Sequence, residues 1–410
     1  MSKPNLAPPN PSPYVRQLPA EEGLLLACAR AERAPAELAR TRDLAVDVDW
    51  YEVERLAREH GVGSLIYPNL KQHFAHEVPG EILDRLKQLS LATTQSNLGL
   101  LRELLSTVRE LNSHGIECAA FKGLLVNQLA YRNLAIRKSG DVDLLVRERD
   151  YPRAKDLFLS QGFRQTLSDK VELLCLQSGL WHEERHLQID LHWGIPPLEL
   201  DIRADKIMER ITNVAVGGVN IPSFAMDDVF IILCTNAIKE FWNQLLYPYR
   251  DIAEFLSGGV PLDWQSLLDR ARELKCRRAV TVALAVVETL YEIPLPARIK
   301  RELRREPDCE KAERELLRQL FEQDIEDGIV INKSGHRLYY FDSPVRYHEA
   351  LIDGIFDRLK FRYSVAMEPN EENRARLRQK PMSAAIYYFS RPLWILGKFL
   401  LKPLLGRKGR

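Results

Sequence analysis

What this chain of 410 residues lacks sets the first limits on it. No run of about 18 uninterrupted apolar residues occurs, so a membrane-spanning helix is not expected. Residues 1–13 are rich in proline, asparagine and serine and hold no apolar core. That excludes a signal peptide and predicts a disordered start. The six cysteines (Cys28, Cys118, Cys175, Cys234, Cys276 and Cys309) are scattered, and none forms a C-x-x-C pair. They read as reduced, mostly buried thiols of a cytoplasmic protein. An excess of one charge is missing too: 58 Lys and Arg oppose 57 Asp and Glu, for a net +1. No overall field draws the molecule to a polyanion, so a nucleic-acid partner is not supported. Neither a G-x-x-x-x-G-K-[ST] phosphate loop nor a G-x-S-x-G nucleophile turn occurs. His182 and His186 are four apart, but with Glu183 and Glu184 between them they do not match a zinc-protease helix.

What is present is the composition of a globular protein, 45% hydrophobic and 28% charged. A sizeable core is possible, and at about 150 residues per domain the length suits two or three domains. After a disordered 1–20, residues 21–90 read as helical, with Val53, Leu56, Ile66 and Leu70 at helix-like spacing. A helix over about 91–112 gathers Leu98, Leu101, Leu104, Leu105, Val108 and Leu111 on one face. It opens a core expected over 91–225. Strands are predicted at 116–121, 141–146, 171–177 and 186–193, and helices at 124–131 and 151–160. This alternation argues for a mixed α/β core with helical regions before and after it. Helices return over 226–305, starting at Asp227 or Asp228, and 306–380 form a C-terminal extension. The charged stretch 300–318 reads as an exposed helix broken near Pro307. Residues 381–410 contain no acidic residue and mix Arg391, Lys398 and Lys402 with Trp394, Phe399 and Leu400. Two readings stand for this basic amphipathic tail. It is an interfacial segment for peripheral contact at the inner membrane surface, or a helix packed on the body with a solvated basic end.

The chemistry concentrates at Ser139-Gly-Asp141-Val-Asp143-Leu-Leu-Val146. Residues two apart on a strand point to one side, so both carboxylates are expected on one face. Two such groups ionise together readily when a cation sits between them, and Mg²⁺ takes one or two carboxylates plus substrate phosphate. Phe121-Lys122-Gly123 lies at the end of the preceding strand. Glycine there allows close approach to a phosphate, and Lys122 adds a point charge. Asp190, in Ile189-Asp-Leu-His-Trp193, is bracketed by apolar residues and needs a partner or a metal. On a strand beside that of Asp141, it completes a cluster of three carboxylates for a two-metal site. His192 shares its face, as an acceptor-side group or a structural histidine. Arg137 is placed to neutralise triphosphate charge.

These residues together resemble the uncharacterised nucleotidyltransferase family of the polymerase beta-like superfamily. The resemblance rests on Phe121-Lys-Gly, Tyr131, Arg137, Gly140-Asp-Val-Asp-Leu-Leu-Val and Ile189-Asp-Leu-His-Trp, and continues through Asn236, Lys239, Trp242, Arg250-Asp251 and Asp263-Trp264. It implies an α+β fold with a small mixed sheet and flanking helices. It implies metal ligation and catalysis by Asp141, Asp143 and Asp190, and nucleotide contacts from Lys122, Gly123, Arg137 and Lys239. The implied cofactor is Mg²⁺, or Mn²⁺ in its place, and the implied partners are an NTP such as ATP and a hydroxyl-bearing acceptor. The chain departs from the superfamily at Leu124, where a second small residue is usual. A catalytically inactive binding or scaffold protein on the same fold is the alternative.

Overall fold

Local sequence signals account for where many of the helices begin. The computed structural model describes residues 13–16, 18–29, 42, 45, 48–168, 172, 176–195, 200, 202–238, 246–258, 262–319, 323–326, 329–332 and 343–367. Helices α1 (Pro13–Arg16), α2 (Ala20–Cys28), α3 (Trp50–Glu59) and α4 (Gly63–His73) precede the sheet. Asp49 caps α3, its carboxylate accepting from the amides of Tyr51 at 2.9 Å and Glu52 at 3.4 Å. The helix predicted from residue 91 begins at Gly80: α5 (Gly80–Ser113) is 34 residues long. Its N-terminal half buries Ile82 and Leu86 with α2 to α4, and its C-terminal half buries Leu104, Val108 and Leu111 against the sheet. It stops at His114, and Gly115 takes a left-handed φ of 69°.

Five strands form the central sheet: β1 (Cys118–Ala120), β2 (Val142–Val146), β3 (Arg164–Gln165), β4 (Gln177–His182) and β5 (Leu187–His192). Their order is β1-β2-β5-β4-β3. Only β2 and β5 run parallel, so the sheet is mixed. Between β1 and β2 the chain forms α6 (Gly123–Val126), which runs into a π-helical turn, Asn127–Tyr131. Between β2 and β3 lies α7 (Tyr151–Ser160), packed through Ala154 and Phe158. The strand expected at 171–177 is instead β4, which starts at Gln177. Gly179, a breaker by composition, belongs inside it because Thr166 Oγ1 occupies the space a Cβ would need.

After the sheet come β6 (Gly194–Ile195), β7 (Ile202–Arg203) and α8 (Ala204–Met208), then the hairpin β8 (Ile211–Val216) and β9 (Val219–Phe224). Gly217 and Gly218, at φ 58° and 82°, supply the two positive dihedrals of its tight turn. The helical region holds α9 (Met226–Ile238), α10 (Leu246–Ser257), α11 (Trp264–Glu273) and α12 (Arg277–Tyr291). Asp263 caps α11 as Asp49 caps α3. Helix α12 is buried almost all round and forms the middle of this region. Then α13 (Ala297–Arg304) and α14 (Pro307–Gln319) follow, and Pro307 starts the second, as the expected break near it requires. Two short strands, β10 (Gln323–Glu326) and β11 (Ile329–Asn332), precede α15 (Ser343–Leu351) and α16 (Ile355–Met367). Among the described residues no helix is long and apolar enough to cross a membrane. The segment 381–410 lies outside them.

Candidate active site

The end of β1 builds one wall of the site. The Phe121 amide donates to the Asp143 carbonyl at 3.3 Å, and the chain then turns sharply. Lys122 adopts φ 58° and ψ −156°, and Gly123 follows at φ 39°. For a residue with a Cβ this conformation costs on the order of 1–3 kcal/mol, and such strain gathers at functional sites. A Cβ on Gly123 would meet Ser139 only at 3.6 Å, so dihedral and not space selects glycine. The turn carries the Lys122 side chain inward, where its ammonium lies 3.0 Å from Asp143 Oδ1 and 4.8 Å from the Phe121 ring centroid.

The floor is the parallel pair β2 and β5. Asp143 is the register partner of Asp190, and Leu145 that of His192. Buried Val142, Leu144, Ile189 and Leu191 on the opposite face fix the two strands in the core. His192, fully buried, sets Nε2 3.2 Å from Asp143 Oδ1. Its ring meets Phe121 edge-on at 4.9 Å. Asp190 accepts from Gln177 and Gln188, each at 2.8 Å. One ligand atom from each of Asp143, Asp190 and His192 lies within 4.8 Å of the others. Two carboxylates beside an imidazole make a donor set that fits a divalent cation. Asp141 stands just before β2 rather than within it, at a bend, and is partly buried.

Burial and charge divide these groups. Burial, then the charges of Asp143 and Asp190, push the Asp141 carboxyl up to about 7, against Lys122 and Arg137. Burial opposes ionisation of Asp143 as well, but Lys122 and His192 outweigh it and hold its carboxyl well below the usual range. Lys122 resists burial through Asp143 foremost, and its pKa stays above the ordinary value. Burial pushes the His192 imidazole down against the pull of Asp143, which favours a neutral ring.

The loop between the π-helical turn and Asp141 is held by side-chain amides. Asn97, on α5 and buried, donates Nδ2 to the carbonyls of Leu134 at 2.5 Å and Arg137 at 2.8 Å. Its Oδ1 accepts from the Ser139 amide at 3.0 Å. Asn127 adds a second donor to the Arg137 carbonyl at 2.8 Å. From the other side, Asp251 of α10 approaches the Arg137 Nε at 2.8 Å and accepts from the Tyr131 hydroxyl at 2.8 Å. Arg250, fully buried, lies 5.7 Å from the Tyr131 ring centroid and pairs with Glu254. The loop bearing Arg137 and Asp141 is therefore tied both to α5 and to the helical region.

Of the residues singled out from sequence, Asp143, Asp190 and Lys122 come together, and Asp141 is coupled to them by charge. Gly123 packs beside Ser139. Arg137 reaches Asp251, and Lys239 lies outside the described residues. Sequence reasoning missed the clamp made by Asn97 and Asn127. Asn97 did carry a signal: with Leu101 and Leu104 it shares the apolar face of α5, where an amide needs partners.

An antigenic nucleotidyltransferase-like protein from Paracoccidioides brasiliensis aligns at 15% identity and a TM-score of 0.32, over 55% of this chain and 94% of its own. The antibiotic-resistance factor ANT(2'')-Ia aligns at 12% identity and a TM-score of 0.26, over 52% of this chain and 99% of its own. No curated protein matches. A family described as uncharacterised nucleotidyltransferases matches residues 47–292, a span that takes in both acidic strands, the lysine turn and the helices tied to them, and to this family the chain belongs.

Proposed function

We propose that the protein transfers an NMP from an NTP, ATP among them, to a hydroxyl of an acceptor, releasing pyrophosphate. The observation that carries this reading is the register of Asp143 with Asp190, with Lys122 and His192 both on Asp143. Asp141, Asp143 and Asp190 would hold Mg²⁺, or Mn²⁺, which lowers the charge on the triphosphate and favours an ionised acceptor oxygen. Asp190, whose two oxygens are oriented by Gln177 and Gln188, takes the acceptor's proton. The acceptor oxygen then bonds to the α-phosphorus while the bond to pyrophosphate breaks. Lys122 and the Gly123 turn face the phosphates, and Arg137 and Lys239 add positive charge. The protein acts in the cytoplasm, and its basic 381–410 segment supports peripheral contact with the inner membrane surface.

Calorimetry with Mn²⁺ and a non-hydrolysable analogue of each NTP tests the reading. Metal-dependent binding that weakens at least about tenfold in both Asp143→Asn and Asp190→Asn supports it. Absence of metal-dependent binding to all four nucleotides overturns it and leaves a scaffold on the same fold.

A further inference from the structure

The helix that ends the described part of the chain exposes the wrong face for a helix in water. On α16, Ile355 is 63% exposed, Phe356 82%, Leu359 53% and Tyr363 53%. At helical spacing these four side chains fall in one continuous stripe about 100° wide. Lys360 flanks the stripe on one side and Arg362 on the other, both exposed. Arg362 meets Glu349 at 2.5 Å and its side chain is still 63% exposed. The opposite side of the helix faces the body, where Asp357 pairs with Lys275 at 3.3 Å.

Apolar side chains between two basic ones are the pattern of a helix lying in a membrane interface. The apolar groups enter the acyl boundary and the long basic side chains reach the headgroups. Two further observations choose a lipid surface over another occupant. A second copy of the same helix would set Lys360 and Arg362 against their own likenesses. And the chain that follows α16 leads into 381–410, which holds six basic residues, no acidic one and a run of bulky apolar residues. Helix α13 docks on the first turn of α12 through Glu302, which meets Arg277 at 2.5 Å. It leaves Arg301, Arg304 and Arg305 exposed, with no ion pair to them among the described residues.

We infer that the stripe Ile355, Phe356, Leu359 and Tyr363 is a docking surface for an anionic lipid bilayer. It lies flat in the interface and acts jointly with the segment after it. The inference deepens the peripheral contact proposed above from 381–410, and one arm of its test separates the two.

The test is sedimentation of the full chain with vesicles of phosphatidylglycerol and phosphatidylcholine, and with phosphatidylcholine alone. Four proteins are compared: the full chain, the exposed double variant Phe356→Ser/Leu359→Ser, a chain ending at Lys380, and that shorter chain with the same two substitutions. The full chain should bind anionic vesicles, weakly at high salt, and not neutral ones. The double variant should bind about tenfold or more weakly. Its melting temperature should be unchanged, since both side chains already face solvent. The truncated chain should keep a residual affinity that the same double substitution removes. If the double variant binds like the full chain while truncation abolishes binding, the stripe is not a docking surface and only the tail reading survives. If no protein binds anionic vesicles, both fail. If the full chain dimerises in sedimentation velocity and the double variant does not, the stripe serves a second copy and the lipid assignment is overturned.

Discussion

Asp143 and Asp190 are register partners on adjacent parallel strands, so one backbone pairing fixes the relation between two carboxylates 47 positions apart in sequence. Side chains of register partners stand on the same face, and a slip of one residue would turn either group into the opposite, apolar layer. Of the two, Asp143 is the more heavily committed. It is 7% exposed and contacts both Lys122 and His192.

That commitment makes Asp143 a stability residue as well as a site residue. Asp143→Asn leaves the Lys122 ammonium buried against a neutral group, and breaking such a pair costs about 3 kcal/mol. Replacing Lys122 as well should recover part of the loss, because the uncompensated charge goes with it. Urea denaturation of Asp143→Asn, Lys122→Met and the double variant checks this through the double-mutant cycle. Additive losses would show that the pair contributes nothing.

Asp141 predicts a pH dependence of the opposite sense to an ordinary salt-bridged carboxylate. Its pKa rises from 3.8 to about 7 on folding. A carboxyl raised in this way favours the fold while it is protonated. Its contribution is whole below its unfolded value and is lost as pH rises through about 7. Relative to Asp141→Asn, the parent chain should therefore lose stability between pH 5 and pH 8, as followed by denaturant midpoints at the two values. Cation binding needs the ionised group, so Mn²⁺ affinity should rise over the same interval, and this rise should shrink in Asp141→Asn.

Much of this site was legible in the sequence because strand chemistry is local. Apolar residues around Asp143 and Asp190 announced two buried strands, and a carboxylate in such a run implies a partner. Phe121-Lys-Gly was legible as a turn, and the left-handed Lys122 and Gly123 agree with it. What could not be read was anything decided by long-range packing. The start of β2 at Val142 removes Asp141 from the strand and gives it a separate environment. Asp251 lies 120 positions beyond Tyr131, and no spacing rule places one beside the other. The place of Gly179 inside β4 depends on Thr166, whose Oγ1 fills the space a Cβ would need and which lies 13 positions away in sequence.

Asp251 should respond to substitution less severely than Asp143. Both are buried and both face a cation, yet the directions of their shifts differ. Burial raises the Asp251 carboxyl in spite of Arg137 and the Tyr131 hydroxyl, whereas Asp143 is held low. The protein thus favours the charged form at 143 and disfavours it at 251, and a neutral amide suits the second position better. Asp251→Asn should cost roughly 1–2 kcal/mol against about 3 for Asp143→Asn. Because Arg137 loses its carboxylate, nucleotide affinity should also change. Equal destabilisation by the two substitutions in matched denaturation curves would contradict the assignment.

Asn97 offers the sharpest separation of scaffold from site. It touches no carboxylate of the cluster, but three of its hydrogen bonds hold the main chain of Leu134, Arg137 and Ser139, directly before Asp141. Asn97→Leu keeps the branched shape, with bulkier methyl groups, and removes all three, and the carbonyls it deserts are shared only in part by Asn127. Each buried group left unpaired costs about 1–3 kcal/mol, so a loss of several kcal/mol is expected where the loop cannot move, and less where it relaxes toward solvent. Relaxation has its own signature: stability is spared, but Asp141 and Arg137 are displaced. In that case the Mn²⁺ affinity falls and the pH dependence tied to Asp141 moves toward an ordinary carboxylate range. Asn97→Asp keeps the acceptor for the Ser139 amide but sets a charge against two carbonyls, so it should be the more damaging of the two changes. Melting temperature and Mn²⁺ titration at pH 6 and pH 8, measured on both variants, decide the matter. Unchanged values for both quantities in both variants would show that the loop needs no clamp.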